Sequence, residues 1–194
     1  MTVPNPITKS RKNSAFKHLM TVHWWMAACY VIIFSTGMIM VQLPANLDIR
    51  SPMYSFHKSM GVLTMALLTW RILTLLRVWW KKYTRRFPKL TLPWFQTVAL
   101  HTSLYVFMWG VPVAGYFLSN SFRPNNVKFF GLPLPDIFPV DSSAVGLARN
   151  LHFWLSYTFL AFILLHSLDQ WKVIRANLRR FRSFLGKAKT KGDS

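Results

Sequence analysis

Six histidines hold most of the chemistry in this 194-residue chain: His18, His23, His57, His101, His152 and His166. All lie within or at the edge of long apolar runs, where an ionisable side chain is costly and marks function by default. His152 and His166 are 14 residues apart. On a helix that is nearly four turns, so both project from almost the same face, about 21 Å apart along the axis. Gly37 follows His23, and Arg71 follows His57, at the same interval. Imidazoles repeated at two depths suit metal ligation. Neutral imidazoles facing each other in pairs suit a haem iron held from both sides, with the flat macrocycle filling the gap between helices. Zinc would want four converging donors. The single cysteine, Cys29, and the five acids, all aspartates in loops or at span ends, supply none at either depth. The same placement of acids argues against proton pumping or cation transport.

The elements that must position these groups emerge from composition. The chain is 52% hydrophobic and only 15% charged, with 16 phenylalanines and 9 tryptophans. Intrinsic disorder is excluded, and a lone cysteine excludes an internal disulfide framework. Apolar residues gather in four blocks, roughly His18–Val41, Tyr54–Trp79, Trp94–Leu118 and Val145–Trp171. Each block, at about 24 to 27 residues, is long enough to cross the hydrocarbon core, and such segments must be helical because lipid offers backbone groups no partner. The first lacks a small-residue cleavage site and is too long for a signal peptide, so it reads as a retained helix. The expectation is one all-α domain over 1–194, an integral membrane four-helix bundle.

Twenty-four lysines and arginines against five acids make a formal charge of +19. Nucleic-acid binding would need that charge on one folded soluble face. Here the cations alternate with the spans, which excludes nucleic acid as the partner and leaves the lipid bilayer. Lys9, Arg11, Lys12 and Lys17 precede the first span; Arg71, Arg77, Lys81, Lys82, Arg85, Arg86 and Lys89 surround the loop after the second; eight more follow the fourth, in the basic tail 172–194. The positive-inside rule then places both termini and the middle loop in the cytoplasm. Trp79, Trp80, Trp94 and Trp171 stand where an aromatic belt belongs.

Chain direction turns spacing into pairs. The first helix enters from the cytoplasm, so His23 lies at the inner depth with His166. The second enters from outside, so His57 lies at the outer depth with His152. Two cross-helix pairs, and hence two b haems stacked across the bilayer, are expected. Gly37 and Gly61 suit close approach of a macrocycle or close packing of helices. Arg71, at the inner depth, suits either a haem propionate or snorkelling to the surface. His101, near the inner pair, suits a hydrogen bond to a propionate, to a quinone carbonyl or to another helix. His18 reads as an interfacial hydrogen-bonding group at the mouth of the first helix.

Val22-His23-Trp24-Trp25, His57-Lys58-Ser59-Met60-Gly61 with Trp70-Arg71, His101 with Leu104-Tyr105, Val111-Pro112-Val113-Ala114-Gly115, and the pair His152 and His166 together resemble the bacterial cytochrome b561 family. The resemblance spans about residues 16 to 175. It implies a four-helix cytochrome of the bacterial inner membrane with two b haems, axially held by His23, His57, His152 and His166. It further implies electron exchange between the quinone pool and a second redox partner. One member type oxidises superoxide at the outer face and reduces quinone.

The loop from Ser119 to Ser143 and the tail beyond Arg175 follow no feature of that family. The loop, rich in Pro, Phe and Leu, suits a short interfacial lid. The stretch Trp171 to Leu185 continues the fourth helix as an amphipathic surface for anionic headgroups. Arg123, Lys128 and Arg149 are cations available at the outer face. The principal reading is a dihaem quinone-linked electron carrier, with superoxide as one candidate donor. The alternative is the haem b membrane anchor of a larger dehydrogenase or hydrogenase. A haem-free scaffold braced by histidines is a third.

Overall fold

A computed structural model describes residues 6–83 and 91–179. Its helices are α1 (Pro6–Gln42), α2 (Arg50–Tyr83), α3 (Leu92–Phe122) and α4 (Val145–Asp169), and each contains a stretch long and apolar enough to cross a membrane. The chain is an all-α, multi-pass membrane protein. Large apolar side chains such as Trp25, Val31, Leu147 and Trp154 are exposed on the outside of the bundle, as a lipid solvent requires.

Three helices overrun their apolar blocks. Hydropathy marks only the part within hydrocarbon, and a polar sequence extends a helix into water without any change in backbone bonding. α1 therefore starts at Pro6, a residue suited to a first turn, and α2 continues through Lys81 and Lys82. α3 starts where the Thr91 hydroxyl accepts the Trp94 N–H, with Pro93 in the first turn. α4 instead ends two residues early. The Gln170 N–H turns back to the His166 carbonyl, and helical conformation resumes over 171–179. The cations Arg85, Arg86, Lys89, Arg180, Arg182, Lys187, Lys189 and Lys191, with Phe181 and Leu185 of the amphipathic stretch, lie outside the described residues.

α1 packs on α2, α3 packs on α4, and α2 touches α3. Among the described residues, the Cα trace of α4 comes within 8 Å of neither α1 nor α2. A cleft thus separates α4 from the α1–α2 hairpin, and aromatic rings bridge its middle. Phe159, 1% exposed, meets Tyr30 edge-on at 5.2 Å and Phe34 at 5.9 Å, and stacks parallel to Phe107 at 6.3 Å. Val22, Met26, Leu68 and Leu104 complete this core. Because lipid is as apolar as the core, shape and ring geometry hold the helices more than water exclusion does. Aromatic pairs contribute about 0.5–1.5 kcal/mol each.

The loop after α3 contains structure that the sequence reading did not foresee, a two-residue antiparallel hairpin. β1 (Lys128–Phe129) pairs with β2 (Leu132–Pro133), and Phe130 and Gly131 turn it at positive φ. The loop is fastened to two helices. Fully buried Asn120 donates from Nδ2 to Asp136 Oδ1 (2.6 Å) and accepts the N–H groups of Ile137 and Phe138 at Oδ1. From α2, Ser59 Oγ accepts the Phe130 N–H at 3.0 Å.

Candidate functional site

Four side-chain columns, one per helix, carry residues at steps of seven: His23, Tyr30 and Gly37 on α1; His57, Thr64 and Arg71 on α2; His101, Met108 and Gly115 on α3; His152, Phe159 and His166 on α4. Seven residues are nearly two turns, so each column keeps one face. Successive helices run in opposite directions, and the columns align into three layers.

At one end the His23 and His166 rings face each other across the cleft, with centroids 6.2 Å apart and planes at 86°. At the other end His57 and His152 do so at 6.4 Å and 89°. A metal–imidazole bond of about 2.0 Å on each side, plus the half-widths of two rings, separates opposed ring centres by about 6 Å. Both pairs stand at that spacing. They also span the cleft in which, among the described residues, the backbone of α4 stays apart from those of α1 and α2.

Hydrogen bonds orient the rings at the His57 end. His152 Nδ1 donates to the Val111 carbonyl at 3.0 Å, which leaves Nε2 unprotonated and free to ligate. Val111 directly precedes Pro112, the proline inside α3. His57 Nδ1 lies 3.3 Å from Thr36 Oγ1, whose proton points to the α1 carbonyls of Ile32 (2.9 Å) and Ile33 (3.1 Å). That arrangement makes Nδ1 of His57 the donor and again frees Nε2.

Two glycines make room for these rings. A Cβ on Gly37 would stand 3.0 Å from His57 Cε1, and one on Gly115 would stand 3.0 Å from His152 Cε1. Gly37 thus cradles the imidazole itself. Gly61 does not share this role: its nearest neighbour would be Ile33 Cδ1 at 3.8 Å, ordinary helix packing. Gly115 was not among the sequence-derived site residues. Its signal was its distance of 14 from His101, the interval already read on the other three helices.

The His23 end is more polar. Arg71, His101 and His166 are within electrostatic reach of His23. Arg71 Nε donates to the Tyr105 hydroxyl at 3.2 Å, while its Nη1 is buried without a protein partner. An orphaned guanidinium N–H beside two imidazoles fits a carboxylate such as a haem propionate. His101 Nδ1 donates to the Thr97 carbonyl at 2.7 Å, and its ring stands 5.2 Å from that of His166. His166 Nδ1 is buried and unpartnered. His18 stands apart from both pairs and accepts the Trp70 indole N–H at 3.1 Å, bracing α1 against α2.

The donor set therefore fits bis-imidazole haem at two levels. Among the described residues no three His, Cys, Asp or Glu groups converge as a zinc site would require.

Comparison with known proteins identifies the family. The family model described as prokaryotic cytochrome b561 matches residues 17–168, which takes in all six histidines. The chain is also similar to cytochrome b561 homolog 2 of Escherichia coli K12, with 25% identity over 150 residues, or 74% of this chain and 76% of the relative.

Proposed function

The chain belongs to the prokaryotic cytochrome b561 family of haem b membrane electron-transfer proteins, and from that premise we propose that it carries two b haems and links the quinone pool to a second redox partner. His23 and His166 would hold the haem at one level, and His57 and His152 the haem at the other. Haem supplies reversible one-electron exchange at iron. The residues of the chain do the rest. His152 and His57 are held with Nε2 exposed to the cleft by Val111 and Thr36. Arg71 offers its unpartnered N–H to a propionate. The aromatic layer of Phe159 and Tyr30 excludes water between the two levels. Because its Nδ1 proton is committed to Thr97, neutral His101 presents Nε2 as an acceptor, suited to a quinol hydroxyl; a bond to a propionate or a quinone carbonyl requires the imidazolium.

The excess of lysine and arginine on one side of the spans supports a topology with both termini in the cytoplasm of a bacterial inner membrane. The His23 level then faces the cytoplasm, and the His57 level faces outward. Superoxide is a suitable donor at the outward level, where Lys58, the residue after His57, lines a cavity with Arg123 and Lys128. The observation that carries the reading is the pair of opposed imidazoles, 6.2 and 6.4 Å apart, across a cleft that the backbones leave open.

The test is haem stoichiometry with a redox titration of purified protein. Two b haems per chain, reduced by superoxide and reoxidised by quinone, are expected. One haem, or none, would refute the dihaem assignment. Reduction only in the presence of a co-purifying dehydrogenase or hydrogenase subunit would replace the carrier with a membrane anchor.

A further inference from the structure

The first turns of α2 and the segment after α3 enclose an open cavity of about 440 Å³ at the His57 end of the bundle. Lys58, Arg123 and Lys128 line it together with Ser51, Tyr54 and Ser55, and no carboxylate does. Two of the cations share a single uncharged oxygen. Lys58 Nζ donates to Asn126 Oδ1 at 2.9 Å and to the Asn126 carbonyl at 3.0 Å, while Arg123 Nε donates to the same Oδ1 at 3.2 Å. A neutral amide orients the cations but does not cancel their repulsion, and partial removal from water makes that repulsion more costly. The start of α2 adds its positive helix end to the same space.

Positive charge gathered in this way, with neutral donors beside it, favours an anion. Its size falls within the range of sites for organic molecules, about 300–1,000 Å³, and far exceeds a diatomic. Ser, Tyr and Lys donors side by side suit oxygen atoms distributed about one centre. We propose that this cavity binds the oxyanion head group, phosphate or carboxylate, of a ligand larger than a diatomic. The head group comes either from a free anion or from an acidic lipid. Because Lys58 directly follows His57, occupancy offsets positive charge beside the His57–His152 pair and would lower the midpoint potential of a haem held there. That last consequence rests on the dihaem reading; the binding itself does not.

The experiment uses the full chain in phosphatidylcholine nanodiscs, titrated calorimetrically with inorganic phosphate at fixed ionic strength. Native mass spectrometry of protein extracted from membranes containing phosphatidylglycerol runs beside it. Arg123→Gln, Lys128→Gln and the double variant are compared, with Lys58 kept because it anchors the loop. Saturable phosphate binding, weakened about tenfold or more in the double variant, supports a free anion. Retained phosphatidylglycerol that the double variant loses, without phosphate binding, supports a lipid head group. Binding that the double variant preserves, or wild-type protein that holds neither probe, overturns the proposal. Haem content is measured on the same samples, so a failure of the dihaem reading shows separately from a failure of the cavity.

Discussion

The imidazole of His57 lies against Gly37, with Cε1 3.0 Å from where a Cβ on that glycine would sit. The corresponding contact of His152 with Gly115 is also 3.0 Å, so one glycine seats each member of the pair. Gly37→Ala and Gly115→Ala should each displace a ring and cost about 1–3 kcal/mol through overpacking. The loss should fall on the haem at that level, visible as a weakened or shifted b-type band. Gly61→Ala, with its nearest contact at 3.8 Å, should be neutral or slightly stabilising.

Ring pairing makes a second prediction. His23→Ala and His166→Ala should remove the same haem, and His57→Ala and His152→Ala the other, each leaving roughly half the haem content. The double variant His23→Ala/His166→Ala should lose no more than either single change. Pyridine haemochrome quantification checks this. Joint loss in His23→Ala/His57→Ala no greater than in either single change would contradict the pairing.

Thr36 acts through His57. Replacing it with Val removes the oxygen that receives the Nδ1 proton at 3.3 Å while keeping the shape of the side chain. Loss of such an orienting partner typically weakens metal ligation about 10–100-fold. Haem transfer to apomyoglobin should accelerate for the His57-level haem only, with the His23-level haem unaffected.

Phe159 fills the middle of the cleft at 1% exposure. Phe159→Ala should cost about 3–5 kcal/mol through the cavity it leaves. Phe159→Leu should cost less and retain both haems, since it keeps an apolar side chain between the two levels and leaves all four imidazoles in place. Thermal unfolding in detergent, with haem absorbance monitored, separates the two effects.

Asp141 predicts an acid-sensitive start to α4. The Ser143 hydroxyl, at 2.6 Å, and the Ser143 N–H, at 2.9 Å, donate to its carboxylate and hold its pKa below the usual value. A carboxylate with a depressed folded pKa stabilises the fold above its ordinary titration range and loses that contribution as pH falls through the folded value. The stabilisation should therefore be intact at neutral pH and fade below about pH 4. Lower protection factors at Ser143 and Ala144 on acidification, measured against the intrinsic exchange rate at each pH, are expected, and the change should be abolished in Asp141→Asn.

Much of this was legible in one dimension. Four apolar blocks determined four membrane helices, because a backbone in hydrocarbon has no other way to satisfy its polar groups. The interval of 14 residues determined that His152 and His166 share a face, because helical pitch is a local property. Alternation of chain direction then matched His23 with His166 and His57 with His152. Helix ends were less legible: Lys81 and Lys82 extend α2 into a region where hydropathy carries no signal.

Contacts between helices were decided only by the tertiary structure. Which glycine seats which imidazole, the bond from His152 to Val111, and the cleft beside α4 depend on helix rotation and separation. Those are set where Phe159 meets Tyr30 and Phe107, not by any one segment. The cationic cavity required the return of the loop after α3 onto α2, which brings Arg123 and Asn126 to Lys58 across more than 60 residues of chain. Pitch and hydropathy are read within a single helix, whereas a side chain's partners are determined by how helices pack.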